Sequence, residues 1–177
     1  VSCDLLPTES IGPHFQIDAL ELIAHPELAD VDQWDMLVAF PPCTDICVSG
    51  ARYFKQKRED GRQQKAIDFF MAMANADIPM ICIENPVGIM SSVYRKPSQY
   101  IQPYLFGHDA SKRTCLWLKG LPPLEPTDII KKERYANQTA SGQNNLAPSP
   151  DRAKIRAKTY SGIAAAMADQ WTPFVPH

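Results

Sequence analysis

The 177-residue sequence has no long hydrophobic run, and none of its apolar stretches approaches the roughly 20 residues that span a membrane. The opening residues lack the basic segment that begins a secretory signal peptide, so we expect no such peptide. The five cysteines form an odd set without paired spacing, which argues against a secreted disulfide scaffold. We therefore expect a cytoplasmic protein with no membrane partner.

Several motifs that mark common enzyme classes are missing as well. The sequence contains neither GxGxxG nor GxxxxGK[ST], the glycine-rich patterns that hold phosphates, and no nucleophile elbow of a serine hydrolase. The four histidines and five cysteines show no metal-ligand spacing. These absences argue against a metal site, a glycine-rich phosphate site and a Ser/His/Asp hydrolase.

Positive charge is missing from the first 51 residues, which carry nine Asp and Glu side chains. Six Lys and Arg side chains lie within residues 52–65, against two acids, and ten lie within residues 111–158, against four acids. The net charge of −2 therefore conceals well-separated charges. Such separation favours a face that binds a polyanion such as nucleic acid, with a solvated basic surface as the alternative.

Short apolar runs that alternate with helical patterns indicate an α/β protein, and 45% hydrophobic with 21% charged residues is typical of globular proteins. The predicted strands are one that ends at Asp4, Phe15–Ile17, Met36–Phe40, Met80–Ile83 and Cys115–Leu118, and the predicted helices are Ala19–Ala24, Gly61–Ala76 and Gly162–Trp171. Residues 119–158 are proline-rich, polar and basic, which predicts a loop-dominated insert within a single domain of residues 1–177.

Cys43 and Glu84 each follow a predicted buried strand, at the sheet edge where parallel α/β sheets bind ligands. Pro41 and Pro42 fix the backbone before Cys43, so its thiol is a candidate nucleophile. Glu84, followed by Asn85, is a candidate proton donor, because a charge beside a buried strand is unfavourable unless it is paired or used. The alternatives are a small buried apolar cysteine and a carboxylate that caps a turn.

Two further acids, Asp4 and Asp18, also end predicted strands. An acid in this position commonly accepts hydrogen bonds from the ribose of a nucleotide in α/β proteins. Asp18 equally suits the N-cap of the helix Ala19–Ala24, and Asp4 equally suits a turn. The residues alone leave both interpretations open.

Two segments resemble the signature motifs of DNA cytosine-5 methyltransferases. The run DMLVAFPPCT (Asp35–Thr44) resembles the Pro-Cys motif of this family, and IPMICIENPVGIM (Ile78–Met90) resembles its Glu-Asn-Val motif. Between them, Ser49-Gly50 and Asp60-Gly61-Arg62 resemble the mobile catalytic loop and the start of the helix behind it. The order and spacing are similar to those of small phage-type or bacterial members, most strongly over residues 35–90.

The resemblance implies a Rossmann-like methyltransferase fold, S-adenosylmethionine as the cofactor and methyl transfer to C5 of a flipped cytosine in DNA. Cys43 resembles the nucleophile that adds to C6 of the base, and Glu84 resembles the carboxylate that contacts N3. Asn85 resembles the residue that orders the Pro-Cys turn. Lys112, which stands with Arg113 in the place of the family's arginine-rich motif, is expected to be a fourth catalytic residue.

The same resemblance implies the cofactor and DNA contacts. Asp4 resembles the acid for the cofactor ribose, Asp18 the acid for its adenine amino group, and Pro42 a residue that lies against the cofactor. The expected cofactor-binding residues are Asp4, Leu5, Asp18, Ala19, Pro42 and Ser161. The expected DNA-binding residues are Ser49, Arg52, Arg62, Arg113, Arg152 and Lys154. The small basic insert of residues 119–158 stands where the target-recognition region of the family belongs.

The sequence departs from the family at its start, where the first strand and its Phe-x-Gly-x-Gly loop are not found. We therefore expect the first βα unit, and with it a central strand of the parallel-rich sheet, to be missing, either because the sequence is a fragment or because the protein has lost this unit. Two other functions stay open: a catalytically inactive module that binds DNA, and a cysteine-dependent enzyme that acts on free pyrimidine nucleotides. The first needs only the basic surface, and the second needs a thiol that adds to C6.

Overall fold

The structure is a computed structural model that describes residues 1–9, 11–141 and 159–175. Arg152, Lys154 and the later part of the predicted insert lie outside the described residues. The strands are β1 (Ser2–Cys3), β2 (His14–Phe15), β3 (Met36–Ala39), β4 (Met80–Pro86), β5 (Gln99–Ile101) and β6 (Thr114–Lys119). The helices are α1 (Ala19–Ala24), α2 (Phe54–Glu59), α3 (Arg62–Ala74), α4 (Met90–Val93) and α5 (Ser161–Trp171). Short 3-10 helices lie at Pro26–Ala29, Val48–Tyr53, Pro103–Leu105 and Thr172–Phe174.

The main sheet has four strands in the order β3-β4-β6-β5. β3 and β4 run parallel, with Met36 opposite Met80 and Ala39 opposite Ile83, whereas β6 runs antiparallel to both β4 and β5. β1 and β2 form a separate parallel pair. The α/β class predicted from the sequence is therefore confirmed, and the main sheet combines parallel and antiparallel pairs.

Side chains of the main sheet alternate between two apolar cores, because successive residues of a strand point to opposite faces. Ile81, Ile83 and Trp117 belong to the core that contains Phe70 of α3, a completely buried residue. The opposite core combines Cys82 and Leu116 of the sheet with Ile163, Met167 and Trp171 of α5. Helices thus pack on both faces of the sheet, which explains the continuous apolar run at the start of β4.

The predicted helices are present with small shifts at their ends. Ala19–Ala24 is reproduced without change, and α5 begins at Ser161, one residue earlier than predicted. α3 begins at Arg62 because Gly61 has a φ of 77°, a left-handed conformation that suits glycine and precedes the helix. The apolar stripe along α3 faces the core, as its helical spacing predicts.

β4 is longer than predicted, and its extra length includes the candidate site residues Glu84 and Asn85. The sequence placed the strand end at Ile83, but the ladder continues through Pro86 because β6 pairs with it along its whole length. Glu84 lies opposite Leu116, and Asn85 lies opposite Cys115. Both polar residues are therefore inside the strand rather than in a turn behind it.

Three short elements, β5, α2 and α4, were not predicted. β5 has three residues and α4 has four, so neither carries enough sequence to show a period. α2 has the sequence FKQKRE, whose charged side chains conceal its one apolar position. Residues 120–141 form turns and irregular chain, as predicted for the start of the insert. Among the described residues, no helix has the length and apolar character that a membrane span requires.

Candidate active site

The Pro-Pro-Cys turn after β3 is held by a side chain of the neighbouring strand. Asn85 of β4 donates a hydrogen bond from Nδ2 to the carbonyl oxygen of Pro41, at 2.8 Å. Asn85 is 2% exposed, and a buried amide of this kind is favourable only where it is bonded. The ends of the parallel strands β3 and β4 are therefore joined directly before Cys43.

A second contact holds the chain that follows Cys43. The amide of Val48 donates to the carbonyl oxygen of Val87 at 3.0 Å, and the amide of Ile89 donates to that of Ile46 at 2.9 Å. Gly88 lies at the centre of this contact, where a Cβ atom would come within 2.3 Å of the Ile46 oxygen. Only glycine allows such a close approach, so the segment after β4 and the cysteine loop are fitted to each other.

A buried lysine provides the third contact. The ammonium of Lys57, on α2, donates to the carbonyl oxygen of Thr44 and forms an ion pair with Asp45 at 3.1 Å. Gln63 of α3 adds a hydrogen bond from Nε2 to the carbonyl oxygen of Asp45, at 3.2 Å. The sequence grouped Lys57 with the basic surface, and this was wrong, because its side chain is only 6% exposed and points into the loop.

The loop held in this way places two thiols side by side. The amide of Cys47 donates to the carbonyl oxygen of Cys43 at 2.9 Å, so the two residues occupy one helical turn. Hydrogen bonds from the Cys43 thiol, the Ser49 hydroxyl and the amides of Ser49 and Gly50 lower the pKa of Cys47 to about 5, against the opposing effect of burial. The cysteines show no metal-ligand spacing in the sequence, and the pairing of Cys43 with Cys47 was not predicted from it.

Glu84 faces a narrow cavity of about 20 Å³, which is enough for a water molecule. The cavity wall also includes Lys112, Thr114, Phe40 and Tyr160. Burial raises the pKa of Glu84, while the Lys112 ammonium and a hydrogen bond from Thr114 oppose this rise. Lys112, predicted as a catalytic residue, is thus brought to Glu84, because β6 runs antiparallel to β4 and starts at the edge where β4 ends.

A broader groove of about 250 Å³ lies on the other side of the cysteine turn. Pro42 and Asp45 form one wall, and Arg62, Lys65 and Phe69 of α3 form the other. Arg62 is exposed and paired with Asp60, with a distance of 2.6 Å between Nη2 and Oδ2. The predicted DNA-binding residue Arg62 and the predicted cofactor-binding residue Pro42 therefore lie in one groove.

The other predicted DNA-binding residues lie apart from this groove. The guanidinium of Arg113 stacks over the Tyr100 ring at 4.1 Å, and that of Arg52 stacks over the Tyr53 ring at 4.6 Å. The Ser49 hydroxyl is 2.9 Å from the sulfur of Cys47. Arg113 and Arg52 are exposed, so their stacked guanidinium groups still face solvent.

The predicted cofactor acids have local partners. Asp4 accepts a hydrogen bond from the amide of Leu6 at 2.9 Å, and Asp18 accepts one from the amide of Leu20 at 2.8 Å as the N-cap of α1. The alternative interpretations, a turn and a helix cap, therefore both occur. Each acid is exposed and uses one carboxylate oxygen, Oδ1, in the bond described.

The remaining predicted cofactor residues lie on different parts of the molecule. Leu5 is exposed beside Asp4, whereas Ala19 packs on the core that contains Ala39 at the end of β3. Ser161 opens α5, close in sequence to Tyr160 and Ile163 of the Glu84 cavity. Within the described ranges, no three His, Cys, Asp or Glu side chains gather as a metal site.

Comparison of the chain with protein-family models, with curated proteins and with solved structures found no significant match.

Proposed function

We propose that this protein methylates cytosine at C5 in DNA, through a covalent bond between Cys43 and the base. The observation that carries the proposal is the junction of β3 and β4. There, the Asn85 bond to Pro41 fixes the turn that presents Cys43, and the adjacent residue Glu84 lies in a cavity. A nucleophile on the turn after one strand and an acid within the neighbouring strand are the pair that addition to a pyrimidine needs.

In the proposed reaction, the Cys43 sulfur bonds to C6 of the cytosine while Glu84 donates a proton to N3. Burial favours the protonated form of Glu84, because removal from water disfavours a carboxylate. The added electron density reaches C5, which becomes the nucleophile for methylation. Loss of the C5 proton then re-forms the C5–C6 double bond and releases the Cys43 sulfur.

The methyl donor S-adenosylmethionine supplies an electrophilic methyl group. Asp4 and Asp18 suit its nucleoside part, because exposed carboxylates accept hydrogen bonds from ribose hydroxyls and from an adenine amino group. We expect calorimetric titration of the protein with S-adenosylhomocysteine to give binding that Asp4→Asn weakens at least about tenfold, the loss of one charge-assisted hydrogen bond. Asp32→Asn, a change at another exposed acid, is the matched control.

The target base must leave the DNA helix to reach Cys43. The cavity beside Glu84 holds only about 20 Å³, so a base can contact Glu84 only after the cavity wall opens. Tyr160 and Thr159, which precede α5, form part of that wall, and Arg113 lies exposed at the same edge of the sheet. Arg62 and Lys65 in the groove beside Pro42 are suited to phosphate contacts.

The decisive experiment is trapping on DNA in which 5-fluorocytosine replaces cytosine. Fluorine at C5 blocks the loss of the C5 proton, so the bond between Cys43 and C6 should persist and be detected by denaturing electrophoresis and peptide mass spectrometry. We expect an adduct on Cys43 that requires S-adenosylmethionine, is abolished in Cys43→Ser and is retained in Cys3→Ser.

The absence of an adduct would overturn the proposal. Salt-dependent DNA binding without an adduct would indicate a module that only binds DNA. Turnover of labelled deoxycytidylate or deoxyuridylate without DNA would instead indicate an enzyme of free nucleotides.

A further inference from the structure

The first turn of α5 is held by an imidazole ring rather than by a capping residue of its own. Tyr160, which precedes the helix, makes no side-chain cap bond. The amide of Gly162 instead donates to Nε2 of His108 at 2.9 Å. The first amides of a helix have no partners within the helix, so an acceptor at this position stabilises the turn. His108 therefore does here what a Ser, Thr, Asp or Asn side chain usually does at a helix start.

The His108 ring also contacts the residues that close the cavity beside Glu84. Its centroid lies 5.0 Å from that of the Tyr160 ring, and Tyr160 and Ile163 both belong to the cavity wall. A Cβ atom on Gly162 would lie 3.0 Å from Nε2, so the ring and the start of the helix are in close contact. The position of this wall therefore depends on the bond between Gly162 and His108.

This bond requires a neutral ring. In a neutral imidazole one nitrogen accepts and the other carries a hydrogen, so an accepting Nε2 places the proton of His108 on Nδ1. Histidine is the side chain whose charge ordinarily changes between pH 5 and 8. Protonation puts a hydrogen on Nε2, which removes the acceptor, and it places a positive charge beside the positive end of the helix dipole. Both effects release the amide of Gly162.

The charged groups near His108 do not restore the lost bond. The first turn of α5 carries no acid, and burial raises the pKa of Tyr160, so that side chain stays neutral as histidine titrates. The other titratable groups on the elements packed around the ring and its wall are Asp109 in an ion pair with Lys132, Asp128 with its carboxylate against Gly107, Tyr104 stacked on Tyr135, and Glu84 with Lys112 on the cavity side. An anion on the loop side favours the protonated ring but supplies no acceptor to Gly162.

We propose that neutral His108 holds the wall of the Glu84 cavity closed, and that protonation of the His108 ring releases the start of α5 and opens this wall. His108 is thus a positioning residue, because it acts through Gly162 rather than on a ligand. This control belongs to the cavity itself, whatever ligand enters it, and goes beyond the proposed function. A base that contacts Glu84 must displace the same wall.

The test is the pH dependence of amide hydrogen exchange at Gly162 and Ile163, measured by nuclear magnetic resonance. In the natural protein we expect their protection factors to fall at least about tenfold between pH 7.5 and 5.5, the effect of losing a cap and placing a cation at a helix N-terminus. The fall should share its midpoint with the nitrogen chemical shifts of the His108 ring. His108→Gln, whose amide oxygen is an acceptor that does not titrate, should keep the protection constant. The matched control His25→Gln, at an exposed histidine, should behave as the natural protein does.

Two further variants separate a pH-controlled bond from a merely structural one. His108→Ala removes the acceptor at every pH, so its protection should stay at the low acidic level throughout. Glu84→Gln removes the acid on the cavity side and should retain the fall. Constant protection in the natural protein, a fall with a midpoint other than that of the His108 ring, or an equal fall in His108→Gln would overturn the inference.

The exchange measurement also separates this inference from the proposed function. It needs neither DNA nor cofactor, so constant protection would leave the 5-fluorocytosine experiment as it stands. A fall that follows His108 without any 5-fluorocytosine adduct would support the control of the cavity wall while contradicting the proposed function. The natural protein alone decides the question through the shared midpoint, so the result does not depend on whether each variant folds.

Discussion

At the scale of single residues, Glu84 determines the pH dependence that the proposed chemistry should show. Burial raises its pKa, and the protonated acid is the active form, so adduct formation should fall as pH rises through that raised value. We expect Glu84→Gln to lower the rate of adduct formation about 100-fold or more, the usual contribution of a general acid, and to remove this alkaline decline. The measurement is the rate of 5-fluorocytosine trapping between pH 5 and 9.

The same residue makes a matching contribution to stability. Folding favours the protonated form of Glu84, so this contribution is present below the ordinary pKa of a Glu and is lost as pH rises through the folded value. Glu84→Gln should therefore flatten the dependence of the free energy of unfolding on pH. Glu59→Gln, at an exposed position, should change neither profile, and an equal effect of both variants would contradict this role of Glu84.

Lys57 allows a comparison of a buried and an exposed ion pair on one helix. Lys57→Met leaves Asp45, itself largely buried, without its cation, and we expect the free energy of unfolding to fall by about 2–3 kcal/mol. Lys55→Met removes an exposed pair with Glu59 at 4.0 Å and should lower it by less than about 0.5 kcal/mol. Urea unfolding measures both values, and similar losses would show that Lys57 does not hold the loop.

The sequence predicted the placement of single residues best where the adjacent residues determine the local backbone. Two buried strands were expected at β3 and β4, and the thiol lies on the turn after β3, but the carboxylate of Glu84 lies inside β4 rather than at its end. The burial of Lys57 could not be predicted, because its partners Thr44 and Asp45 meet it only after α2 folds back on the loop. The Cys43–Cys47 pair was missed because four-residue spacing brings side chains together in a helical turn, and no helix was predicted there.

At the scale of elements, the start of α5 is fitted to the chain before β6. Gly162 donates its amide hydrogen to Nε2 of His108 at 2.9 Å, and a Cβ atom there would lie 2.0 Å from the carbonyl oxygen of Phe106. Helix propensity alone predicts that Gly162→Ala stabilises α5 by up to about 1 kcal/mol. The close contact reverses this sign, since the Phe106 backbone would have to move.

We therefore expect Gly162→Ala to lower the melting temperature and to disturb the Glu84 cavity, which Ile163 helps to form. The control is Ala164→Gly at an exposed position of the same helix, which should cost about 1 kcal/mol through propensity alone and leave the cavity unchanged. Thermal unfolding and the rate of adduct formation check the two effects. A Gly162→Ala protein as stable as the natural one would refute the close fit.

Elements with a clear period were predicted well, and short polar ones were not. α1 and α3 bury one stripe each, and β3 and the first part of β4 are apolar runs, so their positions follow from sequence. The extension of β4 to Pro86 depends on pairing with β6, which lies about 30 residues further along the chain. A local sequence pattern does not show which distant strand will pair with β4, so it does not predict where β4 ends.

At the scale of the whole molecule, the strands fall into two separate sheets, β1-β2 and β3-β4-β6-β5. β3 is an edge strand, and in the described part of the chain no strand pairs with the side of β3 that faces away from β4. Met36, Leu37 and Val38 of this edge strand are only half-buried. The groove formed by Pro42, Asp45, Arg62, Lys65 and Phe69 lies beside the cysteine turn and carries two cationic side chains.

That groove leads to a prediction about DNA binding by the whole protein. If Arg62 and Lys65 bind phosphates, DNA binding should release counterions, and the affinity should fall steeply with salt concentration. The double variant Arg62→Gln, Lys65→Gln should then reduce the slope of log K against log salt by about 2, close to one for each phosphate that the protein no longer neutralises. Lys96→Gln, at an exposed lysine that precedes β5, is the control and should leave the slope unchanged. Fluorescence anisotropy with a labelled duplex at 50–200 mM salt measures the slope, and an unchanged slope in the double variant would place the DNA-binding face elsewhere, because only residues that neutralise phosphates contribute to it.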